Sequence, residues 1–195
     1  MKLYPEAQTH LSSFSQAWRA LSLHYLTPCV LLALGTASNI IYAHVPLVAF
    51  AAMSGVILQK RKAITISAMI WSINQLIGFA IRGYPLSGSA FTWGALMGIG
   101  ILSVAFFASQ KPTFSQHTWV GHLLWNLIAL IGGFVLYQGL ILLAYPLLSD
   151  GHFMDSAIVW RLFVKQMTWG GAIALGYNLL LWRTQNVTLS KTHPQ

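Results

Sequence analysis

The sequence predicts an all-α membrane protein, a bundle of six transmembrane helices with both termini cytoplasmic. Two observations carry the class. Of 195 residues 56% are hydrophobic, with a mean hydropathy of +0.63, and only 7% are charged, against about 25% in soluble domains. A third observation carries the count: six apolar runs of near-spanning length are separated by charge, proline or polar clusters, and a spanning helix needs about 20 such residues. No linker, low-complexity tract or convincing repeat interrupts them, so 1–195 reads as a single integral membrane domain.

The first run, 20–37, is interrupted by Thr27 and Pro28, and 12–25 can begin as an interfacial amphipathic piece. Gly35 and Ala37 precede Ser38 as at a signal-peptidase site, but the long polar lead argues for retention. Cys29 is the only cysteine, which excludes an intrachain disulfide and a CxxC metal site; it reads as a small buried hydrophobe.

A turn at Ser38 and Asn39 leads to the second run, 40–58. The basic cluster Lys60, Arg61, Lys62 precedes the third, 63–83, which ends at the turn YPLSG before the fourth, 89–109. The fifth, 118–148, is too long for an upright span and must tilt, kink near Gly132 and Gly133, or extend beyond the lipid. The sixth, 157–182, follows the loop SDGHFMDS.

Eleven Lys and Arg against three acidic residues give a net charge of +8. In a soluble chain that excess would suggest nucleic acid. Here it reports topology and no nucleic-acid partner, because Lys2, Arg19, the 60–62 cluster, Lys111, Arg183 and Lys191 all fall on one side of the six runs. The positive-inside rule makes that side cytoplasmic.

Polar residues inside spans are costly and mark functional positions by default. On the third run Trp71, Asn74, Gly78 and Arg82 recur at helical spacing with Gln75 beside them, leading to Tyr84 and Pro85 in the outer turn. On the sixth, Arg161 and Lys165 share a face with Trp169, although snorkelling to the headgroups also accounts for them. The fifth carries His122 and Asn126, which read as interhelical hydrogen bonding, and then Tyr137 and Gln138.

These positions predict an outward-facing pocket in which Asn74, Gln75, Arg82, Tyr84, Arg161 and Lys165 bind an amphipathic or anionic ligand. Trp71, Trp93 and Trp160 would form its walls, and Asp150 and Asp155 are the nearby acids. There is no HExxH, P-loop, nucleophile elbow or intramembrane carboxylate pair, so no catalytic residue is expected, and proton-coupled transport is disfavoured. The alternative is a non-transporting bundle, a haem-bearing redox subunit or an assembly factor; among the seven histidines His24 and His44 fall near the membrane, but at unmatched depths.

Ala33 and Ala37 on the first run, and Gly94 and Gly98 on the fourth, are small-xxx-small pairs suited to close helix packing, within the chain or against another membrane subunit. Six helices, an outward polar pocket and this AxxxA pattern resemble the substrate-binding S-components of energy-coupling factor (ECF) vitamin transporters. The resemblance implies that Ala33 and Ala37 dock a transmembrane coupling subunit with its ATPases. NQLIGFAIRGYP, residues 74–85, followed by FTWG, 91–94, is similar to the small proteobacterial cobalamin transporters (BtuM type). That implies vitamin uptake, with cobalamin or a related corrinoid as transported ligand and no resident cofactor. Described members can ligate cobalt through a cysteine near this segment; here it contains none, which leaves any metal ligand unknown.

Overall fold

The computed structural model describes residues 13–41, 45–149 and 154–192. Those residues form α1 (Ser13–Leu23), α2 (Leu26–Ile41), α3 (Leu47–Ile57), α4 (Lys60–Ala80), α5 (Gly88–Ala108), α6 (Thr113–His117), α7 (Trp119–Leu148) and α8 (Ser156–Thr192). Three of them, α4, α5 and α7, are long and apolar enough to cross a membrane, and α1 with α2 makes a fourth if the bent pair is one span.

The architecture is organised around α3. Its 11 residues rise about 16 Å, roughly half the hydrocarbon thickness of a bilayer. Every position from Leu47 to Leu58 is buried, because α2, α4, α5, α7 and α8 all pack on it. A helix enclosed on all faces can be apolar on all faces. Gly55 shows how close the enclosure is: a Cβ there would stand 2.5 Å from Ala108 Cβ and 2.8 Å from the Ala105 carbonyl oxygen.

The expected second run differs in extent. Residues 40 and 41 complete α2, residues 42–44 lie outside the described set, and 47–57 form a short apolar helix below the usual length of a span. The expected turn at Ser38 and Asn39 is helical as well. Ser38 Oγ and Asn39 Nδ2 donate back to the Gly35 carbonyl at 2.7 and 2.9 Å, so these polar side chains bond within the helix instead of ending it.

The first run is split: α1 and α2 meet at 63° at an elbow formed by His24 and Tyr25. The fifth run is one helix of 30 residues. Gly132 and Gly133 serve as contact points on α5, where added Cβ atoms would meet Phe107 at 3.0 Å and Val104 at 2.8 Å. The sixth run extends to 37 residues, but Arg161, Lys165, Gln166 and Asn178 interrupt its apolar character.

Around α3 the helices follow in the order α2, α4, α5, α7, α8, with α1 touching α8 and α2 at one end. That end gathers the cations. Lys60 Nζ lies 3.9 Å from the centre of the Phe106 ring, Lys62 Nζ donates to the Leu23 carbonyl at 3.3 Å, and Lys111 Nζ donates to the Leu58 carbonyl beneath the Trp18 ring. Lys111 thereby caps the C-terminus of α3, whose last carbonyls have no partner within the helix.

Candidate functional site

At its other end α3 meets a cavity. Leu47 follows directly on Pro46, whose ring fixes the chain entering the helix, and the first amides have no intrahelical acceptor. One is satisfied from far away: the Ala49 N–H donates to Gln166 Oε1 on α8 at 2.9 Å. Beside this junction lies a cavity of about 370 Å³.

Its walls come from both halves of the chain. From α4 and the following turn come Asn74 and Tyr84; from α5, Trp93 and Met97; from α7, Tyr137, Gln138 and Tyr145; from α8, Gln166, with Met154 just before that helix. Glycines place the aromatic groups. A Cβ on Gly78 would stand 2.5 Å from the Tyr84 ring, and one on Gly100 would stand 2.7 Å from the Tyr137 ring.

Gly83, with φ +67°, is the left-handed residue that reverses the chain after α4, and the Tyr84 N–H returns to the Gly78 carbonyl at 3.1 Å. The Trp93 and Tyr145 ring centres are 5.8 Å apart at 57°, which joins α5 to α7 at the wall. Gln138, buried, donates through Nε2 to Met154 Sδ at 3.3 Å and so ties α7 to the start of α8.

Among the described residues the lining is aromatic and amide-bearing, with thioethers from two methionines and no charged side chain. Such a cavity offers stacking surfaces and amide groups that both donate and accept, next to the partially positive N-terminus of α3. It suits an uncharged or weakly anionic planar ligand.

Of the residues expected here, Asn74, Tyr84 and Trp93 line the cavity. Gln75 does not: its Oε1 lies against Gly94, where a Cβ would stand 2.7 Å away. Trp71 donates Nε1–H to the Gly94 carbonyl at 3.0 Å, so it binds α4 to α5 rather than forming a wall. Arg82 donates through Nη2 to the Asn39 carbonyl, fastening the end of α4 to α2.

Arg161 is exposed and donates to the Ala157 carbonyl of its own helix at 3.3 Å; Lys165 is half-buried on α8. Neither lines the cavity, because α8 turns Gln166 inward. Trp160 is exposed and stacks on Phe163. Asp155 Oδ1 accepts from the Ala157 N–H at 3.0 Å and caps α8, while Asp150 and His44 lie outside the described residues.

Two further expectations need correction. Asn126 Nδ2 donates to the His122 carbonyl at 2.9 Å, within one helix, whereas the His122 ring bonds the Ser115 backbone of α6, between two as expected. Cys29 is exposed. Ala33 and Ala37 are exposed too, since α2 turns Leu31, Gly35 and Ser38 inward; a Cβ on Gly35 would stand 2.6 Å from Ile70 on α4. Gly94 and Gly98, by contrast, are internal packing points against Gln75 and Trp71.

No protein-family model, curated protein or solved structure matches this chain.

Proposed function

We propose that the protein is a substrate-binding membrane subunit or solitary carrier for vitamin uptake, holding its ligand in the cavity at the N-terminus of α3. The observation that carries this reading is the cavity itself: about 370 Å³ enclosed by Asn74, Tyr84, Trp93, Gln138 and Gln166 in a helical membrane bundle, within the size range of small-molecule sites. The cavity lies at the end of α3 opposite Lys111. With the basic end cytoplasmic, the cavity opens to the periplasm of a bacterial inner membrane and both termini are inside. Six membrane-inserted segments follow if α3 and α8 are counted with the rest.

Cobalamin or a related corrinoid is the ligand the sequence resemblance suggests. The volume constrains how it would sit: a whole corrinoid is several times larger, so only one edge, with its side-chain amides, enters the cavity alongside the joined Trp93 and Tyr145 rings. Smaller vitamins fit entirely. The chain contains no energy-transducing motif, and the exposed Ala33 and Ala37 face suits a coupling subunit with its ATPases.

Calorimetry of the purified protein against cobalamin, cobinamide, biotin, thiamine and riboflavin tests the reading. Saturable heat with one of these ligands is expected. Silence with both corrinoids alone removes the corrinoid assignment, and silence with all five removes the vitamin-carrier reading.

A further inference from the structure

The ring around α3 has one open side. α2 packs on α4, while α8 packs on α1, α3 and α7. Between α2 and α8 remains a groove of about 670 Å³, floored by Ile57 of α3. Val30 and Leu34 stand on one wall and Ile173 and Leu180 on the other. Val30, Leu34 and Leu180 are exposed. Gly176 opens the α8 wall further, since a Cβ there would meet nothing within 4 Å.

One end of the groove is polar. It begins at the elbow, where His24 and Thr27 line it. The Leu26 N–H donates to His24 Nδ1 at 3.3 Å, which leaves Nε2 of this exposed ring as its outward donor. Lys62 Nζ sits at the Leu23 carbonyl, 3.3 Å away, and exposed Arg19 lies one helical turn before Leu23. This is the cation-rich end of the bundle. Beyond it the described residues bring no charged side chain or amide to the groove, only the Trp169 indole and the buried Tyr177 hydroxyl, so an extended peptide backbone or a polar metabolite would leave most of its polar groups unpaired there.

We propose that this groove binds one anionic phospholipid, with an acyl chain along α2 and α8 and its phosphate at the elbow beside Lys62 and His24. Apolar walls select the chain, and the cations select an anionic over a zwitterionic headgroup, by about fivefold for each basic residue near the surface. The site is separate from the cavity at the other end of α3, and it would hold lipid whether or not a vitamin is bound.

Native mass spectrometry of the full chain in detergent, with phosphatidylglycerol and phosphatidylcholine of identical chains as probes, tests this. One retained phosphatidylglycerol is expected, preferred by about fivefold or more. Lys62→Gln combined with Arg19→Gln and His24→Gln should abolish the preference while leaving phosphatidylcholine retention unchanged. Gly176→Leu should lower retention of both lipids by about tenfold by filling the groove. Leu34→Trp fills it from the opposite, exposed wall and serves if the glycine variant unfolds. Equal retention of the two lipids by the parent protein, full retention by both filling variants, or displacement by soluble glycerol phosphate would overturn the proposal.

Discussion

Gln166 and Ala49 are joined by a buried hydrogen bond of 2.9 Å across 117 positions of sequence. The Ala49 N–H at the start of the core helix donates to the Gln166 side-chain oxygen on α8. Replacing Gln166 with Met keeps the volume but removes the acceptor, leaving a buried amide unpaired. A loss of about 1–3 kcal/mol is expected, read as a lower melting temperature in detergent. Val164→Ala, at an exposed position on the same helix, should change stability little.

Gly55 is where α3 touches α5, with no room for a methyl group beside Ala105 and Ala108. Gly55→Ala should destabilise by about 1–3 kcal/mol through overpacking. Gly139 on α7 has nothing within 4 Å of an added Cβ, so Gly139→Ala should be neutral or stabilising by up to about 1 kcal/mol. Thermal unfolding of the two variants side by side checks the contrast.

Gly78 and Tyr84 are coupled in the same manner at the cavity. Gly78→Ala drives a methyl group into the Tyr84 ring, and the ring must move out of the lining. Ligand affinity should fall by about tenfold in calorimetry, and Tyr84→Ala in the same background should add little further loss.

Lys111 gives a pH dependence. Burial lowers its pKa from 10.5 to about 8, so the folded state releases a proton that the unfolded chain keeps until higher pH. Stability should therefore rise between pH 8 and 10.5 and be flat on either side. Lys111→Met should flatten that part of the melting-temperature profile.

The all-helical membrane class was legible in composition, and the Asn74, Tyr84, Trp93 part of the cavity in helical spacing up to one turn. The core helix was not legible as such. An apolar run reads alike whether lipid or protein surrounds it, so nothing in 47–57 distinguishes enclosure from insertion. Gln138 stood out as an amide in an apolar helix, but Gln166 beside Lys165 did not, and charge drew attention to Arg161 and Lys165 on outer faces. Arg82 stood out as a charge at the end of an apolar run; its partner, the Asn39 carbonyl, depends on tertiary placement that no local pattern encodes.

The central claim, that the cavity beside the Gln166–Ala49 junction is the ligand site, is tested most directly by comparing the ligand affinities of Trp93→Ala and Arg161→Ala by calorimetry. Trp93 lines the cavity and Arg161 does not. The account predicts about tenfold or greater weakening for Trp93→Ala and an unchanged affinity for Arg161→Ala; equal losses in the two variants, or a loss only with Arg161→Ala, would contradict it.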